Sequence, residues 1–141
     1  MSEIGDKIQE KCLAFSDRVI KLNDELLEQA STHRSHTSHI SPQTSRVPVH
    51  LQSVAALTNQ LLRSGTSIGA NNAEATNAVS KADFKSKSYI ALKEARESLY
   101  WIELLKRNNY IDENTYQSIY NDCEELIKLL VHRCKKLDGV E

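Results

Sequence analysis

Apolar residues recur along the chain at intervals of three and four, the spacing that places them on one side of an α-helix. The first such stripe consists of Ile4, Ile8, Phe15, Val19, Leu22 and Leu26. It predicts a helix from about Asp6 to Leu27, with Asp6 as its N-cap. Residues 28–49 are rich in Ser, Thr and His and contain both prolines, Pro42 and Pro48. Because proline interrupts helices, we predict a long flexible loop there.

Three further stripes predict three more helices. Their expected ranges are about 49–78, 83–108 and 112–136. Asp112 is the expected N-cap of the last helix, and the tail from Leu137 is expected to fray. The connections after the second and third helices are short, which favours antiparallel neighbours. We therefore predict an all-α, antiparallel up-down four-helix bundle, a single domain over residues 1–141, with the Ser/Thr/His-rich loop between helices 1 and 2.

The second helix carries two glycines in its interior, Gly65 and Gly69. Each costs about 1 kcal/mol relative to alanine at such a position. A helix that accepts this cost twice is expected to have a close neighbour at that point. Helix 3 has small residues at Ala91 and Ala95, and we predict that these lie against the two glycines.

A polar row runs beside the glycines. It consists of Ser64, Ser67, Asn71 and Glu74, again spaced by threes and fours. Buried polar groups need hydrogen-bond partners, and Arg63, Arg96 and Glu97 are the candidates. We interpret the row, with Arg63 and Glu97, as a structural polar seam that specifies helix packing. A ligand or nucleic-acid site is the alternative.

The same stretch supports a family resemblance. The run Asn59-Gln60-Leu61-Leu62-Arg63-Ser64-Gly65-Thr66-Ser67-Ile68-Gly69-Ala70-Asn71-Asn72-Ala73-Glu74-Ala75 resembles the signature of the bacterial four-helix-bundle family, also called the 23S rRNA intervening-sequence or S23 family. The helix start at Asp83-Phe84, the run from Tyr89 to Trp101 and the Tyr110-Ile111-Asp112 turn are similar too. The chain departs from the family in its long first loop and in Ala75, where a glycine is usual.

The resemblance implies an architecture more than an activity. It implies a four-helix bundle that assembles into a homopentameric barrel with a central channel. A related branch is the accessory variability protein of diversity-generating retroelements, which binds nucleic acid and partners a reverse transcriptase. The resemblance therefore favours a non-enzymatic, oligomeric scaffold or adaptor. The alternative is a nucleic-acid-binding accessory factor of a reverse transcriptase.

Charge separates these two alternatives only in part. The chain has 141 residues and a formal net charge of −1, so it lacks the overall basic character of many nucleic-acid-binding domains. Basic residues nevertheless concentrate in helices 3 and 4. The candidate nucleic-acid-binding residues are Lys81, Lys85, Lys87, Lys93, Arg96, Lys128, Arg133, Lys135 and Lys136. Acidic neighbours dilute them, so a mixed solvated face is the other interpretation.

Cysteine and histidine give no catalytic or metal-binding pattern. Cys12, Cys123 and Cys134 lie on apolar stripes without a CxxC pair, which is typical of buried, reduced thiols in a cytoplasmic protein. His33, His36 and His39 could in principle bind zinc or nickel. They fall in the predicted loop, and we interpret them as solvated. We expect no catalytic residue, metal, cofactor or membrane span.

Overall fold

The computed structural model describes residues 3–32 and 49–140, with side chains from Lys7 to Thr32 and from His50 onward. Over these ranges the chain forms four α-helices and no strand. They are α1 (Glu3–Thr32), α2 (Val49–Thr76), α3 (Lys81–Arg107) and α4 (Glu113–Asp138). Each helix packs on its neighbours in the order α1, α2, α3, α4 and back to α1. The prediction of an all-α four-helix bundle is confirmed, and α1 and α3 occupy diagonal corners.

Helix α1 is longer than its apolar stripe predicted. It begins at Glu3, so the prediction of Asp6 as an N-cap is wrong. It continues to Thr32, so the first five residues of the predicted loop are helical. Ala30 is buried and extends the stripe by one turn. The Ser31 hydroxyl donates to the Leu27 carbonyl at 2.7 Å, one turn back in the same helix. Residues 33–48 of the predicted loop lie outside the described residues, and Val49 begins α2.

The other helix ends are set by local capping. Ser80, predicted as part of a break, is the N-cap of α3, and its hydroxyl accepts from the Asp83 amide at 3.1 Å. Asp112 caps α4 as predicted and accepts from the Thr115 amide at 2.7 Å. Leu137 and Asp138, which were expected to fray, are instead part of α4, and the helix ends at Gly139. Gly139 has a φ of 72°, a left-handed conformation that glycine adopts without strain.

One continuous hydrophobic core runs along the bundle axis. Cys12 fills the gap in the α1 stripe between Ile8 and Phe15 and is fully buried. The largest fully buried side chains come from all four helices, and burial of such apolar surface is the main driving force for folding. They include Phe15, Ile8, Leu61, Ile68, Ile102, Leu105, Ile119, Leu126 and Leu130.

Candidate functional site

The glycines of α2 lie against α1, which corrects the predicted contact with Ala91 and Ala95. A β-carbon at Gly65 would lie 3.1 Å from a methyl group of Val19, and one at Gly69 would lie 3.2 Å from the β-carbon of Cys12. The prediction correctly identified the close-packed side of α2, but it placed α3 there instead of α1. The glycines thus make room for the side chains of Phe15 and Val19 and for the backbone at Cys12.

The two alanines have another role. Ala91 and Ala95 are both fully buried in α3. The Cys123 thiol of α4 donates to the Ala95 carbonyl at 3.2 Å. At Ala95, therefore, the small side chain leaves room for α4 to reach the α3 backbone.

The polar row of α2 faces α3 and is paired there. Arg63 forms an ion pair with Glu97 at one end of the row, and Glu74 forms one with Lys87 at the other. Between them the hydroxyls of Ser64 and Ser98 are 2.9 Å apart, and both residues are fully buried. This pairing is what a seam that aligns two helices requires.

The remaining members of the row make local contacts. The Asn71 side chain donates to the Ser67 carbonyl at 2.9 Å, within α2 itself. Glu97 also accepts from the Trp101 indole at 3.2 Å. Ser98, which the sequence analysis did not include in the seam, belongs to it. The sequence indicated this role only through the helical spacing of α3, which places Ser98 on the side that meets Ser64.

The nine basic residues divide into paired and unpaired groups. Lys85 pairs with Asp138 at 2.5 Å, Lys128 with Glu124 at 3.0 Å, and Lys87 with Glu74 as above. Arg133 donates to Asn72. Six of the nine form no ion pair within residues 7–32 and 50–140: Lys81, Lys93, Arg96, Arg133, Lys135 and Lys136. Only this second group keeps its full positive charge available to a partner.

The outward side of α3 combines positive charge with aromatic rings. Lys93, Tyr100 and Arg107 are exposed and follow one another at intervals of seven residues, so they share one side of the helix. Arg96 and Tyr89 flank them and are exposed as well. We call these five residues the basic face of α3. Tyr100 is 58% exposed and lies edge-on to Trp101, with 5.0 Å between the ring centroids.

The outward side of α1 has the opposite character. Glu10, Asp17 and Asp24 are exposed at the same interval of seven. Beside them lie two large exposed apolar residues, Leu13 (58%) and Ile20 (43%). We call these five residues the acidic face of α1. Because α1 and α3 are diagonal, the acidic face and the basic face lie on opposite sides of the bundle.

The three cysteines are buried and unreactive in character. All are free thiols in the protein interior. Burial raises the pKa of both Cys12 and Cys123 to about 12, and it also raises the pKa of Cys134. Since the thiolate is the nucleophile, thiols with raised pKa values do not supply catalysis at neutral pH.

A polar cluster at one end of the bundle was missed by sequence reasoning. Arg133 of α4 donates to the side-chain oxygen of Asn72 at 2.6 Å, and Asn72 donates to Gln9 of α1 at 2.5 Å. Gln9 in turn donates to the Gly69 carbonyl at 3.4 Å. The only signal in the sequence was Asn72, a polar residue that follows Leu61, Gly65 and Ile68 at helical spacing.

No cluster of metal-ligating side chains occurs in the part of the chain that the structure describes. No group of three His, Cys, Asp or Glu side chains there could hold a metal ion. The predicted loop histidines, His33, His36 and His39, lie outside these residues. Among the described helices, none combines the length and apolar character needed to cross a membrane.

Comparison with known proteins decides the family. Residues 35–132 match the family described as 23S rRNA-intervening sequence protein. The chain belongs to this family. A similar solved structure is a protein of unknown function from the S23 ribosomal protein family of Bacteroides thetaiotaomicron. It is 39% identical to this intervening-sequence protein, with a TM-score of 0.75, and the alignment covers 94% of this chain and 98% of that chain. No curated protein matches significantly.

Proposed function

We propose that this intervening-sequence protein is a non-enzymatic scaffold or adaptor that acts as a closed ring of identical copies. The observation that carries the proposal is the pair of complementary faces on opposite sides of the bundle. A patch that recognises a different patch on the next copy produces a ring when the rotation closes. The family resemblance implies five copies, and the free, buried cysteines favour a location in the cytoplasm.

The two faces match in charge and in length. In the described part of the chain, no carboxylate of the acidic face and no cation of the basic face is engaged in an ion pair. From Glu10 to Asp24, and from Lys93 to Arg107, the charged residues of each face extend over about four helical turns, about 21 Å. Leu13 and Ile20 supply apolar surface that a contact with Tyr100 would cover.

The buried thiols support the non-enzymatic part of the proposal. A cysteine nucleophile needs a lowered pKa and access to solvent. Cys12 and Cys123 are fully buried, and burial raises the pKa of each to about 12.

Measuring the mass in solution tests the assembly. Light scattering with size-exclusion chromatography at micromolar concentration should give a multiple of the 15.9 kDa chain mass. A monomer mass for the unmodified protein would refute the ring.

Charge reversal then tests the interface itself. Asp17→Lys and Lys93→Glu should each reduce the mass, and the two changes together should restore it because the attraction is regained with exchanged signs. Glu28→Lys makes the same charge change on α1 outside the acidic face and should leave the mass unchanged. If the double variant stays dissociated although its helix content is unchanged, the acidic and basic faces do not meet.

A second candidate is a nucleic-acid-binding accessory factor of a reverse transcriptase. The basic face of α3 favours it, because unpaired cations beside exposed tyrosines suit phosphate contacts and base stacking. Filter binding of single-stranded RNA or DNA should then weaken steeply between about 50 and 200 mM salt. Lys93→Glu with Arg96→Glu should abolish retention.

The paired lysines provide the matched control for this candidate. Lys85 and Lys87 are already neutralised by Asp138 and Glu74. Replacing both with glutamate should therefore reduce binding less than replacing Lys93 and Arg96. An absence of retention at low salt, or equal effects of the two pairs, would exclude nucleic-acid binding through the basic face.

A further inference from the structure

The polar cluster of Gln9, Asn72 and Arg133 uses side chains from three helices, and the fourth contributes Phe84. The guanidinium carbon of Arg133 lies 5.6 Å from the centre of the Phe84 ring, within the range of a cation–π contact. Asn72 is fully buried, so its two hydrogen bonds are made inside the protein. Arg133 therefore reaches across the bundle from α4 to its diagonal neighbour α2.

Arg133 lacks the anion that a sheltered guanidinium normally has. It is partly buried, and burial lowers its pKa. No carboxylate of residues 7–32 or 50–140 lies within 4.0 Å of it. Arg18 and Arg63, which also lie at helix–helix contacts, pair with Asp122 and Glu97.

The guanidinium also has unused donors. It carries five N–H groups in a planar fork, and one of its nitrogens, Nη1, donates to Asn72 at 2.6 Å. No other described residue accepts a hydrogen bond from it. Asn72, itself held by Gln9, and the Phe84 ring fix the orientation of the fork. A partly buried guanidinium that is held in place and has free N–H donors is suited to a bidentate contact with an oxyanion.

We propose that Arg133 is the centre of a binding site for a small oxyanion, a phosphate or a carboxylate group, with Asn72 and Gln9 as positioning residues. The partly buried position admits a free ion or a terminal group of a larger molecule. Arg133 lies near the C-terminal end of α4, where the negative end of the helix dipole partly compensates the positive charge of the guanidinium. The bundle can therefore fold without the anion. This site is independent of the acidic and basic faces.

A titration with inorganic phosphate on the full chain tests the site. The side-chain Nε–H signal of Arg133 is followed by NMR while chloride is exchanged for phosphate at constant ionic strength. A saturable shift is expected, and a parallel titration with acetate distinguishes a phosphate from a carboxylate ligand. A shift that stays linear for both anions would overturn the proposal.

Variants separate this site from general salt effects. Backbone amide signals near Gln9 should shift with phosphate in the unmodified chain and should not shift in Arg133→Gln. Lys135→Gln removes a charge nearby on α4 and should leave the titration unchanged. Equal titrations for Arg133→Gln and the unmodified chain would refute the site.

A second variant keeps the test decisive if Arg133→Gln does not fold. Asn72→Asp places a carboxylate next to the guanidinium while keeping the size of the side chain. The internal carboxylate should satisfy Arg133 and reduce the affinity for phosphate at least tenfold with the helix content retained. Undiminished binding by a folded Asn72→Asp protein would contradict the proposal.

Discussion

Replacing Gly65 with alanine tests how tightly α1 and α2 are packed. The new methyl group would lie 3.1 and 3.3 Å from the two methyl carbons of Val19 and 3.4 Å from a ring carbon of Phe15. Val19 is fully buried and β-branched, so it cannot rotate away within a helix. Overpacking costs about 1–3 kcal/mol, and the better helix propensity of alanine returns about 1 kcal/mol. We expect a net destabilisation of about 1 kcal/mol.

A double-mutant cycle identifies the contact responsible. Val19→Ala alone should cost about 2 kcal/mol from the lost methyl groups and the cavity. Combined with Gly65→Ala, the total should be about 1–2 kcal/mol less than the sum, because the added methyl occupies the vacated space. At Gly69 the nearest atom is the β-carbon of Cys12, which Cys12→Ala retains. That second pair should show no such rescue.

Equilibrium urea unfolding followed by far-UV circular dichroism gives these free energies, at one protein concentration because assembly contributes to stability. Ala70→Gly, at an exposed position of α2, measures the propensity difference alone. If Gly65→Ala stabilises the protein by as much as Ala70→Gly destabilises it, the close contact is absent. Additivity of the Val19 cycle within about 0.5 kcal/mol would also refute the reasoning.

Three further predictions concern the seam, a helix cap and the thiols. Ser98→Ala should cost about 1 kcal/mol in urea unfolding because it removes the hydrogen bond to the buried Ser64 hydroxyl, which then keeps only its 3.4 Å bond to the Leu61 carbonyl. The double alanine variant should cost less than the sum of the two single changes. Asp112→Ala should destabilise α4. The hydrogen bond from the Thr115 amide lowers the pKa of Asp112. The cap therefore stabilises the protein at neutral pH, and this contribution is lost as the pH falls through the lowered pKa. Thermal unfolding of Asp112→Ala should lack this pH dependence. Cys12 and Cys123 should resist a thiol reagent at neutral pH until the chain unfolds, because burial raises their pKa values to about 12. Stability should then fall with alkali from about pH 8.5, where unfolded thiols ionise, toward pH 12.

Sequence periodicity was sufficient for the elements that depend on local interactions. Four apolar stripes predicted four helices because a 3.6-residue repeat allows one face to be buried whatever lies against it. Asp112 was recognisable as a cap because its hydrogen bond reaches only to Thr115. The end of α1 was predicted too early because Ser31 and Thr32 resemble a loop in composition. Ala30 is nevertheless buried against the core, which extends the helix.

Tertiary structure decided which faces meet. The periodicity of α2 showed that Gly65 and Gly69 lie on a packed side, but only the arrangement of the bundle placed α1 there instead of α3. Arg133 and Asn72 are 61 residues apart in the chain, and no local pattern relates them. The local sequence pattern indicates which side of each helix is buried. The neighbour on that side is chosen by the packing of the whole chain, so the partner of each buried polar group appears only in the folded protein.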